Sequence, residues 1–432
     1  DVDVKPNRGD ALSILGLARE VAAATDAELR WPDLTVPESG GPAADLLRVE
    51  VEDAELCPVF VGRYVAGVTV APSPWDVQRR LIAAGVRPVS NIVDASNYVL
   101  MELGKPIHTF DADKVTHGHI TVRTARAGET LETLDHVTRE LTPETLLIAD
   151  ESGPLAIAGV MGGSDSEVSD STTNVIIESA IFDPVSIRRT AFRYGLRSEA
   201  SQRFEKGQEH RMARLGADRT AALIAAWGGG RVATGVVDTQ PEAPAQSRVA
   251  FRPARVSQLL GEEISIDEQR RQLRRVEIET EAAPEDVRVR VIAGEDPLHV
   301  DVTPADALVA LIPGHRRDIA IEADIIEEIA RVRGYETIAG QLPDTGMPGF
   351  RHDPQRSSDQ LRAMLSGAGL SELITHGLIG PEDHARMGFG QGDPGTIRAE
   401  NPVTIDHSEL RRSMIPEHLR VLVDNERQNT PD

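Results

Sequence analysis

The sequence predicts a multidomain protein of mixed α/β and α+β class, on three observations. Its 432 residues are enough for about three domains. Strand-like alternation and helix-like apolar spacing succeed one another repeatedly from residue 57 to residue 235. Two turn-rich stretches, "DTQPEAPAQS" and "QLPDTGMPGF", then divide the rest of the chain into smaller units. The hydrophobic fraction of 40% is ordinary, but aromatic residues make up only 3%, so the cores must be built from Ala, Val, Leu and Ile.

Residues 1–56 form the first segment. They open on a strand end and a turn at "KPNRGD", and a helix over "ALSILGLAREVAAAT" comes next, with Asp10 as its expected cap. "PESGGP" reads as a loop. Residues 57–235 read as one large α/β domain with strands at "FVGRYVAGVTV", "HITVRTARAGE" and "TLLIAD". Its helices fall at "SPWDVQRRLIAAGV", with Ser73 as the expected cap, at "PVSIRRTAFRYGL", and at "RMARLGADRTAALIAAWGGG". Residues 248–343 form a smaller unit with helices at "RPARVSQLLG", "SIDEQRRQLRRV" and "ADIIEEIARVRGY" and a strand at "DVRVRVIA". "EDPLHVDVTPADALVAL" reads as a polar insertion there, and the whole stretch 281–308 as an addition to a small domain. A last unit over 350–432 starts with a helix at "SSDQLRAMLSGAGL" and a strand at "SELITHGLI".

The formal charge of −23 argues against a general nucleic-acid or DNA-coating protein and against a membrane-surface protein. It leaves room for a local basic face. The single cysteine, Cys57, excludes an intramolecular disulfide and a cysteine-based zinc cage, and it fits a reducing cytoplasm. No apolar run is long enough for a membrane span. "DVDVKPNRGD" has no signal-peptide pattern, and the expectation is of a fragment beginning inside a longer protein.

Five features could carry chemistry. "AIAGVMGGSDSEV" sets Gly159, Gly162 and Gly163 after a strand, where backbone without Cβ lets another group approach closely. It matches neither a dinucleotide fingerprint nor a phosphate loop, and a tight turn is the simpler reading. Glu178 interrupts the apolar run "VIIESA", and a carboxylate there needs a partner or a task. A salt bridge or an edge position would satisfy it without any function. His108 stands alone after Pro106 with no second histidine at metal-ligand spacing, so zinc is not expected. "LRSEASQRFEKG" is dense in charge, with Arg197, Arg203 and Lys206 free to pair with Glu199 and Glu205 on a solvated helix face or to meet phosphates. In "HRRDIAIEADIIEEIARV", Asp324, Glu327 and Glu328 share a helical face with Asp318 shortly before them. Such a set either is a solvated acidic face or holds an oxygen-liganded cation such as Mg²⁺.

Taken together and in order, these segments resemble the β chains of bacterial phenylalanine–tRNA ligases over nearly the whole chain. "KPNRGDALSILGLAREVAA" resembles the family's B1-like segment after the tRNA-binding module. "VSNIVDASNYVLMELGKPIHTFDADKV", "LAIAGVMGGSDSEV" and "IIESAIFDPVSIRRTAFRYGLRSEASQRFEKG" resemble its B3/B4 editing domain. "IPGHRRDIAIEADIIEEIARVRGYETI" resembles its B5 domain, and "NPVTIDHSELRRSMIPEHLRVLVDNERQ" the start of its antiparallel, class II synthetase-like core. The resemblance implies a pocket that hydrolyses tyrosine mischarged onto tRNA(Phe). Ser96, Asn97 and His108 would line it, Glu178 would sense the tyrosine hydroxyl, Gly159 and Gly162 would form the floor, and Ser198 and Ala200 the wall. It also implies Mg²⁺ at Asp318, Asp324, Glu327 and Glu328, and an α chain that activates phenylalanine with ATP in an (αβ)₂ assembly. An apolar phenylalanine pocket cannot strongly reject an added hydroxyl, which is why a second, hydrolytic site is useful.

Departures from the family pattern are Lys206 in "RFEKG" where Arg is usual, His136 where Gly usually follows "LD", and Ser96 or Ser198 where Thr is common. An inert scaffold subunit and a free-standing editing hydrolase remain as alternatives, the second disfavoured by the B5-like and core-like segments.

Overall fold

The computed structural model describes residues 2–293, 296–340, 353–389 and 393–428. They divide into two compact units, within 1–340 and 341–432.

The first unit is organised by a six-stranded sheet in the order Glu38–Pro42, Arg231–Thr234, Val59–Ala66, Asn174–Ile181, His108–Asp111, with Val237–Asp238 also paired to Val59–Ala66. Asn174–Ile181 is central and antiparallel to both neighbours. Its alternate residues serve two different cores, as the period of two requires. Val175 and Ile177 pack with Ile92 and Val99 of the Asn91–Leu103 helix and Ile224 of the His210–Gly228 helix. Ile176 and Ala180 pack on the opposite face with Phe60, Phe110 and a second sheet, which contributes Ile120, Leu147, Ile148 and Ile157. That second sheet runs Met161–Gly162, Pro154–Ile157, Leu146–Ala149, His119–Thr124, Arg48–Val51. Glu178 is on the face turned towards the second sheet.

Several local expectations are corrected. "PESGGP" is a strand, not a loop, because Gly40 lets it run close beside Arg231–Thr234: a Cβ there would lie 3.1 Å from Ala233 Cα. The first helix, Ile14–Thr25, is capped by Ser13, whose hydroxyl accepts from the Gly16 amide, while Asp10 is held by Arg8. Ser73 does not cap Trp75–Ala83; its hydroxyl donates to Asp94 at 2.5 Å. Arg203, expected on a solvated face, is buried, paired with Glu199 and donating to the Leu12 carbonyl at 3.0 Å. Lys206 likewise reaches back to the Pro6 carbonyl at 2.9 Å, so both bind this segment to the amino-terminal one.

The smaller part of this unit has a three-stranded antiparallel sheet, Ser247–Phe251, Leu308–Ile312, Glu279–Ala282, covered by the helices Pro253–Leu260, Ile266–Arg275 and Glu322–Arg333. Phe251, Leu273, Ile278, Ala310, Ile325 and Ile329 fill its core. The expected insertion over 281–308 is therefore only partly one. Arg288–Ala293 and Asp296–Asp301 form a hairpin, but the apolar "LVALI" after it is the central strand of the sheet. In the second unit, Asp353–Gly367 and Ile415–Arg427 are helices, and the expected strand "SELITHGLI" is reduced to Leu378–Ile379, paired with Glu409–Leu410.

Candidate functional site

The strand register brings the two most conspicuous residues of the sequence together. Glu178 pairs directly with His108 across the antiparallel Asn174–Ile181 and His108–Asp111 strands, so both side chains project on the same face. The 155–163 segment closes over them. Pro154–Ile157 turns through Gly159, at φ +66°, into Met161–Gly162. A Cβ on Gly162 would lie 2.6 Å from His108 Cε1, and one on Gly159 would lie 2.9 Å from Phe182 Cδ2 and from Ile187 Cδ1. Glycine is therefore required twice, once against the imidazole and once against the apolar wall. The amides of Val160 and Gly163 are used inside the turn, on the carbonyls of Ile157 and Leu155.

Ser198 fixes that turn from the other side. Its hydroxyl donates to the Val160 carbonyl at 2.9 Å and accepts from the Ser201 amide, which caps the Glu199–Phe204 helix. Ala200 and Phe204 of that helix pack into the same core as Phe182 and Ile187. Thus His108, Glu178, Gly159, Gly162, Ser198 and Ala200 belong to one neighbourhood. Ser96 and Asn97 lie on the Asn91–Leu103 helix, where the Ser96 hydroxyl turns back on the Val93 carbonyl at 2.7 Å. No hydrogen bond found among the described residues joins either of them to His108 or Glu178.

The electrostatics are unusual. Glu178 Oε2 and His108 Nε2 are both buried without a hydrogen-bond partner. Burial pushes the Glu178 carboxyl up to about 8, against the pull of Lys105. Burial pushes His108 down to about 4, so its imidazole is neutral near pH 7 and suited to orienting a group by hydrogen bonding rather than to carrying charge.

Lys105 is a residue that sequence reasoning missed. Its side chain is fully buried, with its ammonium 4.8 Å from the centre of the Phe204 ring and donating to the Ala180 carbonyl. The geometry explains the donation. Phe60, opposite Ala180, directs its own N–H and C=O to Thr239, so Ala180 faces the other way. There the neighbouring strand begins only at His108, and Lys105 Nζ supplies the donor that the strand lacks. Burial lowers the Lys105 pKa to about 7, opposed by Glu178 and then Cys57. The available signal was a lysine between a helix-ending glycine, Gly104 at φ +73°, and a proline leading into a buried strand.

The acidic set does not assemble as expected. Asp324 Oδ2 accepts from the amides of Ala320 and Ile321, capping its own helix. Asp318 is gripped at both oxygens by Arg316 at 2.9 Å. Buried Glu328 is paired with Arg316 and Arg331, and although burial opposes its charge, the two guanidinium groups hold its pKa at about 2. Glu327 lines a surface groove with Val2, Leu17 and Val21, which Glu328 and Arg331 also reach. Among the described residues no group of three or more His, Cys, Asp and Glu side chains could hold a metal ion. These four residues do not fit Mg²⁺ as disposed here, because arginines already hold Asp318 and Glu328, backbone amides hold Asp324 Oδ2, and Glu327 alone makes no site.

The B3/4 domain family matches residues 56–229, the tRNA synthetase B5 domain residues 295–335, and the phenylalanyl tRNA synthetase beta chain CLM domain residues 338–432. The phenylalanine–tRNA ligase beta subunit of Anaeromyxobacter dehalogenans is 42% identical over 436 residues, covering 100% of this chain and 52% of that protein. That of Moorella thermoacetica is 41% identical, with 97% and 50% covered. That of Nitratidesulfovibrio vulgaris is 42% identical, with 98% and 51% covered. The chain belongs to the phenylalanine–tRNA ligase beta-subunit family. It spans about half the length of the curated relatives it matches.

As a member of the phenylalanine–tRNA ligase beta-subunit family, the chain carries its departures at places the structure can explain. His136 stands at φ +59°, the left-handed region that costs a residue with a Cβ and that the usual glycine adopts freely. The match to the B5 domain includes both the Asp296–Asp301 strand of the hairpin and the Leu308–Ile312 strand, which is core because it is paired on both sides and buried. No helix of the described residues is long and apolar enough to cross a membrane.

Proposed function

We propose that the chain is part of a phenylalanine–tRNA ligase beta subunit whose B3/4 domain removes tyrosine from mischarged tRNA(Phe) by ester hydrolysis. In this reading the α chain attaches phenylalanine with ATP in an (αβ)₂ assembly, and the beta subunit supports it and edits. The observation that carries the editing role is the His108–Glu178 pair: adjacent on one sheet face, under Gly162, each with a buried polar atom lacking a partner.

Such atoms are costly unless a ligand satisfies them. A tyrosine hydroxyl can hydrogen-bond to Glu178 in either protonation state, as donor or acceptor, whereas phenylalanine leaves the carboxyl unpaired. The discrimination is then the difference between a satisfied and an unsatisfied buried group. His108, neutral at pH 7, orients the ester or the attacking water. Its depressed pKa makes it a poor proton acceptor, so its part is to orient and not to take the proton. Lys105 sits behind the site and biases the charge of Glu178.

The test is deacylation of Tyr-tRNA(Phe) and Phe-tRNA(Phe) by the complete αβ enzyme carrying Glu178→Ala, with phenylalanine activation as control. A hydrogen bond to a charged or polarised carboxyl is worth roughly 1.5–3 kcal/mol. The Tyr-to-Phe preference is expected to fall roughly ten- to a hundredfold with activation unchanged. An unaltered preference would leave Glu178 a structural carboxyl and the subunit a scaffold.

A further inference from the structure

Away from the Glu178 pocket, a cavity of about 210 Å³ lies between the Ile14–Thr25 helix and the smaller part of the first unit. Three nitrogen atoms of its lining residues are buried and have no hydrogen-bond partner: Arg19 Nη2, Arg275 Nε and His315 Nδ1. The Arg19 and His315 side chains are only 10% and 7% exposed. Unpartnered polar atoms this deep are rare, and these three belong to residues that line one space.

The acceptors around the cavity are already used. Arg8 grips Asp10 and Glu20, Arg331 also holds Glu20, and Arg19 Nε meets Glu277 at 3.3 Å. Glu277 stands 3.9 Å from His315 Nδ1, beyond hydrogen-bond reach, and Asp26 is exposed. On the cationic side, Arg274, which is exposed, and Arg275 have no ion pair among the described residues; Arg275 Nη1 donates to Gln272 Oε1 at 2.8 Å and to the Val332 carbonyl at 3.4 Å, while its Nε has no partner. Arg19 and Arg211 also stack on Trp31, at 5.3 and 5.4 Å from its ring centre, which packs further positive charge nearby. The local potential is visible on His315: burial, then the guanidinium groups of Arg19, Arg316, Arg211 and Arg8, depress its pKa to about 3. A ligand that fits must be an anion rich in acceptors.

We propose that this cavity binds a phosphoryl group, held by Arg19, Arg275 and His315. Its tetrahedral oxygens can accept from donors arriving from separate elements, whereas a planar carboxylate addresses one guanidinium fork. Its negative charge, single in a phosphodiester and larger in free phosphate or pyrophosphate, matches the arginines that have no carboxylate partner. The same chemistry is offered by free phosphate or pyrophosphate and by the backbone of an RNA strand.

The experiment is calorimetric titration of the 432-residue chain with inorganic phosphate, pyrophosphate and a short single-stranded RNA, for wild type, Arg275→Gln and Arg275→Lys. Arg275→Gln is expected to weaken binding roughly tenfold, about 1.4 kcal/mol. Arg275→Lys, which keeps the charge but loses the fork, is expected to fall between. If Arg275→Gln does not fold, the lysine variant alone decides by the same criterion. Saturation by phosphate or pyrophosphate identifies a free anion as the source, and saturation by RNA alone identifies backbone phosphate. No saturable binding of any probe, or affinities that neither substitution changes, overturns the proposal. Because none of this uses Glu178 or His108, it stands or falls separately from the editing reading.

Discussion

Two buried glutamates in this chain have opposite fates. Glu178 is 5% exposed and Glu328 is 3% exposed, yet the first has its pKa pushed up to about 8 and the second down to about 2. Burial penalises both charges alike. The difference is the company: Glu328 meets Arg316 and Arg331, while Glu178 has one oxygen without a partner and only a lysine nearby, itself losing its proton. A buried carboxylate with two guanidinium partners is a structural joint. One left half-satisfied on a sheet face is a site waiting for a donor.

The largest expected effect comes from breaking the joint. Arg316→Met leaves Asp318 and Glu328 without their shared cation and is predicted to cost about 3–5 kcal/mol in urea denaturation of the chain. A loss below about 1 kcal/mol would mean that the pairing is incidental.

The next prediction sharpens the contrast by pH. Because the folded pKa of Glu178 lies above its ordinary value of 4.5, its contribution to stability is intact below pH 4.5 and is lost as pH rises towards 8. Lys105, shifted down from 10.5 to about 7, changes its contribution only above pH 7. Glu178→Gln should therefore match wild type near pH 4 and become more stable by roughly 1–3 kcal/mol at pH 7–8. Thermal melts across that range would expose a flat difference, which would contradict a half-satisfied Glu178.

A smaller effect is expected at the helix cap. Asp324→Ala removes the acceptor for the Ala320 and Ile321 amides and should cost about 1 kcal/mol. The cost should be the same with and without Mg²⁺ in the isolated chain; a Mg²⁺-dependent difference would restore the metal reading. The last, of similar size but a gain, is His136→Gly. Relieving a left-handed residue should stabilise by roughly 1 kcal/mol, and a thermal melt showing destabilisation would mean that the exposed contact of His136 Nδ1 with Glu132 at 3.3 Å is worth more than the backbone strain.

Much of this was legible in the sequence where local pattern and fold agree. The apolar run around Glu178 gave both the strand and the anomaly within it, and "AIAGVMGG" gave the turn that has no room for side chains. The glycine spacing could not say what the turn faces; the answer, His108, lies far upstream in the chain. The acidic helix misled for a related reason. Its spacing correctly puts Asp324, Glu327 and Glu328 on one face, but Asp324 also occupies the third helical position, where a carboxylate caps the helix. Arg316 was adjacent in the sequence; Arg331 and Glu20, which complete the network, come from the far end of the helix and from a helix near the start of the chain.

By itself the sequence determined most of the helices, several of the strands, the aliphatic cores, the family, and the residues that break pattern: periodicity and turn chemistry are local properties of the chain. Only the tertiary structure decided which charges are neutralised. That depends on which strand edge is left open at Ala180, so that Lys105 fills it, and on which arginines reach Glu328 and none reaches Glu178. Charge compensation is a matter of distance and burial, and both are set by packing between segments that the sequence keeps far apart.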